Sequence, residues 1–145
     1  MTPATSTGRN WPHFDSRPYL RWWDDDTWTC GHLVLAFYAR ELNIQLPHEI
    51  IGYGQVPDSL MLAWKHKAIG EAKEWGWIKQ AAPSFGDVAV FGETPEFDGH
   101  VGVVVKPMHV LHVLEGGPTT ISRYDGPGWG PTLRGFYRWQ GFFTE

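Results

Sequence analysis

The chain has a single cysteine, Cys30, in 145 residues. A disulfide framework within the chain is therefore excluded, and cysteine usage leaves the redox compartment open. No apolar run is long enough to span a bilayer, and the opening MTPATSTGRN has no apolar centre of the kind a secretory signal needs. The expectation is a protein that stays where it is made or leaves by a route other than general secretion. Basic charge is also scarce: 12 Lys and Arg face 16 acids, for a net charge of −4, and no basic stripe appears. Nucleic acid is thus a poor partner, and an acidic protein gains no long-range pull towards any anionic polymer. Repeats and low-complexity stretches are absent too.

What is present is aromatic surface and turn chemistry. Nine Trp, eight Phe and five Tyr supply a core, while 17 Gly and 11 Pro argue against an all-helical bundle. The length fits one domain. Residues 1–10 read as a flexible arm and 11–145 as the domain. From Thr29 to Leu42 apolar residues cover most of a helical circumference, with Thr27 or Thr29 to cap the start and Asn43 to end it. A second helix is expected from Asp58 to about Trp75, with Leu60, Trp64, Ala68, Ala72 and Trp75 as its stripe. After Pro83 the rhythm changes to short β-branched or aromatic runs: DVAVF, HVGVVV, VLHVL, TTISRY and RGFYRW. Helices first and then strands joined by short turns predict an α+β fold, with N-terminal helices packed on an antiparallel sheet of about five strands.

Two of those strands carry a histidine, His100 and His112. A two-residue turn at Pro107-Met108 would pair Val103 with His112 and set the histidines on opposite faces. A loop of odd length pairs Gly102 with His112 and gives them one face, and Pro107 with the bulky Met108 disfavours the tight primed turn. The odd loop is therefore expected. Cys30 opens a helix, where backbone dipoles favour thiolate. An imidazole beside it can take the proton, and a third polar group can orient that imidazole. Cys30, His100 and His112 suit these three parts, although Asp24, Asp25 and Asp26 would disfavour a nearby thiolate. A buried core sulfur and a Cys-His-His zinc site use the same residue types. No Cys or His pair shows a local zinc-ligand spacing. Asp87 reads as a turn or strand-start residue, and Trp22, Trp23, Trp28, Trp64, Trp75 and Trp77 mostly as core. Trp28 and its neighbours flank Cys30 in sequence and are candidates to wall a cleft. His13, His48, His66 and His109 read as surface or loop, and His32 has no evident part.

Cys-Gly-His-Leu-Val at a helix start, then FGDVAVFG, then HVGVVV…VLHVLEGG, resembles the NlpC-type cysteine peptidases of bacterial cell walls, compact relatives of the papain fold. The resemblance runs from about Pro18 to Tyr137. It implies a nucleophilic Cys30, a general base His100, an orienting His112, an oxyanion site that includes the Cys30 backbone N–H, and a cleft Tyr matched by Tyr19. It implies no metal and no organic cofactor. LNIQLP and the closing GFYRW are similar to the branch found among phage tail and prophage proteins. Its expected substrate is the peptide stem of peptidoglycan, its further partners other tail proteins, and its place of action the wall after synthesis in the bacterial cytoplasm. Many family members have Asp before the cysteine and Ser-Gly after it; here Thr29, Gly31 and His32 stand there, which speaks against specificity for a free amino terminus. The rival expectations are a fold-retaining tail-assembly or tail-tip protein with little activity, and a thiol-dependent amidase or acyltransferase.

Overall fold

The computed structural model describes residues 11–24, 28–46, 51–52, 56–57, 77–94, 97–114 and 116–139. The expected arm at 1–10 and the expected helix from Asp58 to Trp75 lie outside these. The one α-helix among the described residues, α1, spans Cys30–Glu41. Thr29 is its N-cap in extended conformation, and Asn43 follows its end at φ 56°, the left-handed step that closes a helix. Cys30, Leu33, Val34, Phe37 and Tyr38 are buried, whereas Ala39 is exposed and Leu35 and Ala36 are half-buried. The helix is thus covered on one broad face rather than all round.

A small ribbon pairs β1 (Ile51–Gly52) with β2 (Val56–Pro57). The main sheet holds six strands, not about five: β3 (Trp77–Gln80), β4 (Val88–Thr94), β5 (Phe97–Lys106), β6 (His109–Val113), β7 (Thr119–Arg123) and β8 (Leu133–Trp139). Their order is β3-β8-β4-β5-β6-β7, with every pairing antiparallel. The strand missed in the sequence, β3, is a four-residue edge strand carrying charge, the form edges commonly take.

The pleat sorts side chains into two layers. Val88, Val90, Val101, Val103, Val105, Leu111 and Val113 face α1 and form one cluster with Leu33, Val34 and Phe37. On the reverse face Ala89, Phe91, Val104, Val110 and Tyr124 form a second cluster, with Trp129, Leu133 and Phe136 packed against it. Trp28 and Trp77 are core as expected, but Trp22 is 66% exposed. Arg138 is a buried cation on β8. It meets both oxygens of buried Asp87 at 2.7 Å and Ser84 Oγ at 3.0 Å. Asp87 also accepts the Ser84 N–H at 2.8 Å, so it fixes the turn that launches β4, as its position suggested.

The β5–β6 hairpin corrects one detail and keeps its consequence. Lys106 pairs with His109 across the two-residue turn Pro107-Met108, with Met108 at φ 68°. This is the tight turn the sequence argued against, with proline preceding a positive φ as in a type II turn. Beyond it a bulge between Val104 and Lys106 adds one residue, and the register becomes Val104↔Val110 and Val103↔Leu111. The bulge, not an odd loop, puts His100 and His112 on one face. Gly102, two residues along β5 from His100, lies against His112. A Cβ there would stand 2.5 Å from Val110 Cγ2, 2.9 Å from the Leu111 carbonyl oxygen and 3.0 Å from His112 Cβ. Gly102→Ala is expected to cost about 1–3 kcal/mol through overpacking, read from the urea midpoint. An unchanged midpoint would mean the hairpin yields freely at this point.

Candidate active site

The imidazole pair is the most developed polar feature of the reverse face. His100 Nε2 lies 2.6 Å from His112 Nδ1, and His112 Nε2 lies 2.9 Å from Ser122 Oγ on β7. The strands fix this: β5 and β6 carry the rings on one face, and β7 pairs Thr120 with His112, which sets Ser122 diagonally on the same side. Phe91, directly opposite His100, and Trp129 enclose the rings. Trp129 stacks on His100 at 5.1 Å and 22° and meets His112 edge-on at 4.9 Å. The remaining nitrogen, His100 Nδ1, has no hydrogen-bond partner among the described residues.

Burial governs the charge of the pair. It pushes His100 down to about 3, with the neighbouring His112 adding to the effect, and His112 down to about 4. Both rings are neutral at pH 7. A neutral His100 can receive a proton at Nδ1, but it does not form a standing thiolate–imidazolium pair.

Cys30 stands at the first position of α1, fully buried. Its backbone N–H is among those the helix ladder leaves unused. The Thr29 hydroxyl accepts the His32 N–H at 3.4 Å and lies 2.9 Å from His32 Nδ1, which gives His32 a part in the cap. Cys30 belongs to the helix-side cluster together with Val101 and Val113, the chain neighbours of the two histidines. The imidazoles point to the other face. The fold therefore brings His100 and His112 together and leaves Cys30 in the adjoining layer. Asp24 is exposed, while Asp25 and Asp26 lie outside the described residues.

Of the two expected substrate contacts, Tyr19 lies at the far end of α1 and Trp28 two residues before Cys30. Tyr19 is buried against Phe14 and Phe37, and its hydroxyl donates to Glu41 at 2.6 Å. Glu41 closes α1 and Cys30 opens it, so the phenol sits at the wrong end of the helix, about 16 Å away at 1.5 Å per residue. Trp28 is buried, donates its indole N–H to Thr119 Oγ at 3.0 Å and is covered by the Arg21 guanidinium. It braces the approach to α1. Ser122 and Trp129 were not anticipated. Ser122 is legible only once the β6–β7 register is known, and Trp129 sits in a Gly/Pro-rich turn with no period to read. Among the described residues no group of three or more His, Cys, Asp or Glu is placed to hold a metal ion. No helix among them is long and apolar enough to cross a membrane.

No family model matches this sequence, and no curated protein matches it. The fold does have a solved counterpart. The crystal structure of a protein described as similar to a lipoprotein of the NLP/P60 family, from Staphylococcus aureus subsp. aureus Mu50, superposes with a TM-score of 0.53 over 91% of this chain. The two are 15% identical, and this chain spans 44% of the length of that one. The chain shares the fold of an NLP/P60 family protein.

Proposed function

We propose that this protein is a cysteine peptidase that cleaves an amide bond in the peptide stem of peptidoglycan, carried by a phage or prophage tail. The observation that supports the reading best is the buried chain His100–His112–Ser122, which uses Nε2 of His100 and leaves Nδ1 for a proton from a thiol. Two imidazoles set into a valine-rich sheet are costly to bury, and such groups concentrate where proton transfer is needed. In this mechanism Cys30 Sγ attacks the amide carbonyl as His100 Nδ1 takes its proton. The oxyanion forms against the N–H groups at the start of α1, and His100 returns the proton to the departing amine. Water then hydrolyses the thioester with His100 again as base. The tail setting and partner tail proteins rest on the sequence resemblance.

Purified peptidoglycan digested by the wild type is expected to release shortened stem peptides, identified by mass, and Cys30→Ala to release none. His100→Ala is expected to lower the rate about 10²–10⁴-fold. One observation favours a second reading, a fold-retaining structural protein: Cys30 is fully buried, in the layer opposite the imidazoles. Iodoacetamide separates the two. Labelling of native protein at neutral pH that slows in His100→Ala supports the peptidase, and labelling only after denaturation together with intact wall fragments overturns it.

A further inference from the structure

We infer that Ser122 is a positioning residue for the imidazole pair: its hydroxyl accepts the His112 Nε2–H and so holds His100 in the tautomer whose Nδ1 carries a lone pair. This rests on the general-base role of His100 proposed above.

Two neutral rings and one hydroxyl share two contacts, and the protons can run along them in only two directions. If Ser122 donates, His112 donates from Nδ1 to His100 Nε2, and His100 is left with a proton on Nδ1. That N–H would have no acceptor among the described residues, and the ring could not take a proton from a thiol. If Ser122 accepts, both rings carry their proton on Nε2 and His100 Nδ1 is a free base. The general-base role selects the second direction, because only that one leaves a lone pair on His100 Nδ1. Ser122 is half-buried on the edge strand β7, so its own O–H can turn to solvent while its oxygen faces His112. His112 is fully buried and His100 nearly so. The hydroxyl is the outer end of the relay, and it sets the proton register of the whole chain. The fold itself asks little of this position, since an edge-strand site accepts many side chains.

The test is nitrogen-15 NMR of the imidazoles in the intact protein at pH 7, with Ser122→Ala and Ser122→Thr beside the wild type. Both rings of the wild type should be protonated at Nε2. Ser122→Ala should lose that single tautomer and show a mixture, and Ser122→Thr should restore it. In wall digestion, Ser122→Ala should lower kcat roughly 3- to 10-fold with KM unchanged, the scale of one net hydrogen bond. A wild-type His112 protonated at Nδ1, or a Ser122→Ala spectrum identical to wild type, would overturn the inference. The spectra need no turnover. The expected tautomers in a protein that cuts no wall would sink the peptidase reading and leave the role of Ser122 standing.

Discussion

Arg138→Leu is expected to destabilise the fold by about 3–5 kcal/mol, a large share of the stability of a domain this size. The guanidinium lies in the sheet with two 2.7 Å contacts to Asp87 and one to Ser84, and both charged partners are buried. Burial raises the Asp87 carboxyl, while the Arg138 contacts pull it down. Removing the cation leaves the buried carboxyl with the Ser84 N–H to offset its desolvation and no opposite charge. Asp87→Leu should cost a similar amount, because it removes the counter-charge of buried Arg138 and the carboxylate that accepts the Ser84 N–H. Combining Asp87→Leu with Arg138→Leu should recover part of the loss, but not all of it, since Ser84 N–H remains without its acceptor. Urea unfolding of the three proteins measures this, and a single-variant loss below about 1 kcal/mol would mean water reaches the pair.

Acid should unfold the protein through its histidines before its carboxylates titrate. Each ring has a folded pKa below its unfolded value of about 6.5, at about 3 for His100 and about 4 for His112. Between these values the unfolded chain binds protons that the folded chain refuses. The stability is fully present above pH 6.5 and drains as pH falls towards 4. Each histidine contributes up to about 1.4 kcal/mol per pH unit, so the pair should remove about 3 kcal/mol by about pH 5.5. Urea midpoints at about pH 7.5 and 5.5 give the comparison, with a His100→Gln/His112→Gln variant as control. The wild type should lose stability steeply and the control should stay nearly level. Equal slopes would mean the imidazoles are solvated in the native state.

Fold class was legible because period and punctuation agree over the second half of the chain. DVAVF, HVGVVV and VLHVL alternate across a pleat whose two faces are both apolar, and Gly or Pro separates them. The helix start was legible from Thr29 and its end from Asn43. β3 was not, because Trp77–Gln80 carries one Lys and one Gln in four residues and gains its strand character from pairing with β8. The His100–His112 contact was inferred on the correct face through the wrong turn, since a bulge leaves no mark on composition. Arg138 was hidden in RGFYRW, where a cation amid aromatics gives no hint that its partner lies 51 residues away at Asp87. Tyr19 matches the cleft tyrosine by likeness alone, and likeness does not show which end of a helix a side chain reaches.

The bulge at Val105 makes the histidine contact a matter of counting. Between Lys106 and His109 the paired residue numbers add to an odd total, and past the bulge, at Val103 and Leu111, they add to an even one. His100 and His112 share a face only in the second frame. Substitutions through this hairpin can change side chains freely without disturbing that arithmetic, whereas drawing Val105 into the ladder would pair His112 with Val103 and turn its ring towards α1. The arrangement therefore depends on one residue of β5 staying out of the pairing, and not on which side chain that residue carries. Over the history of such a chain, replacements here should be tolerated, whereas any change that slides the ladder by one step past Val104 and Val110 should be purged.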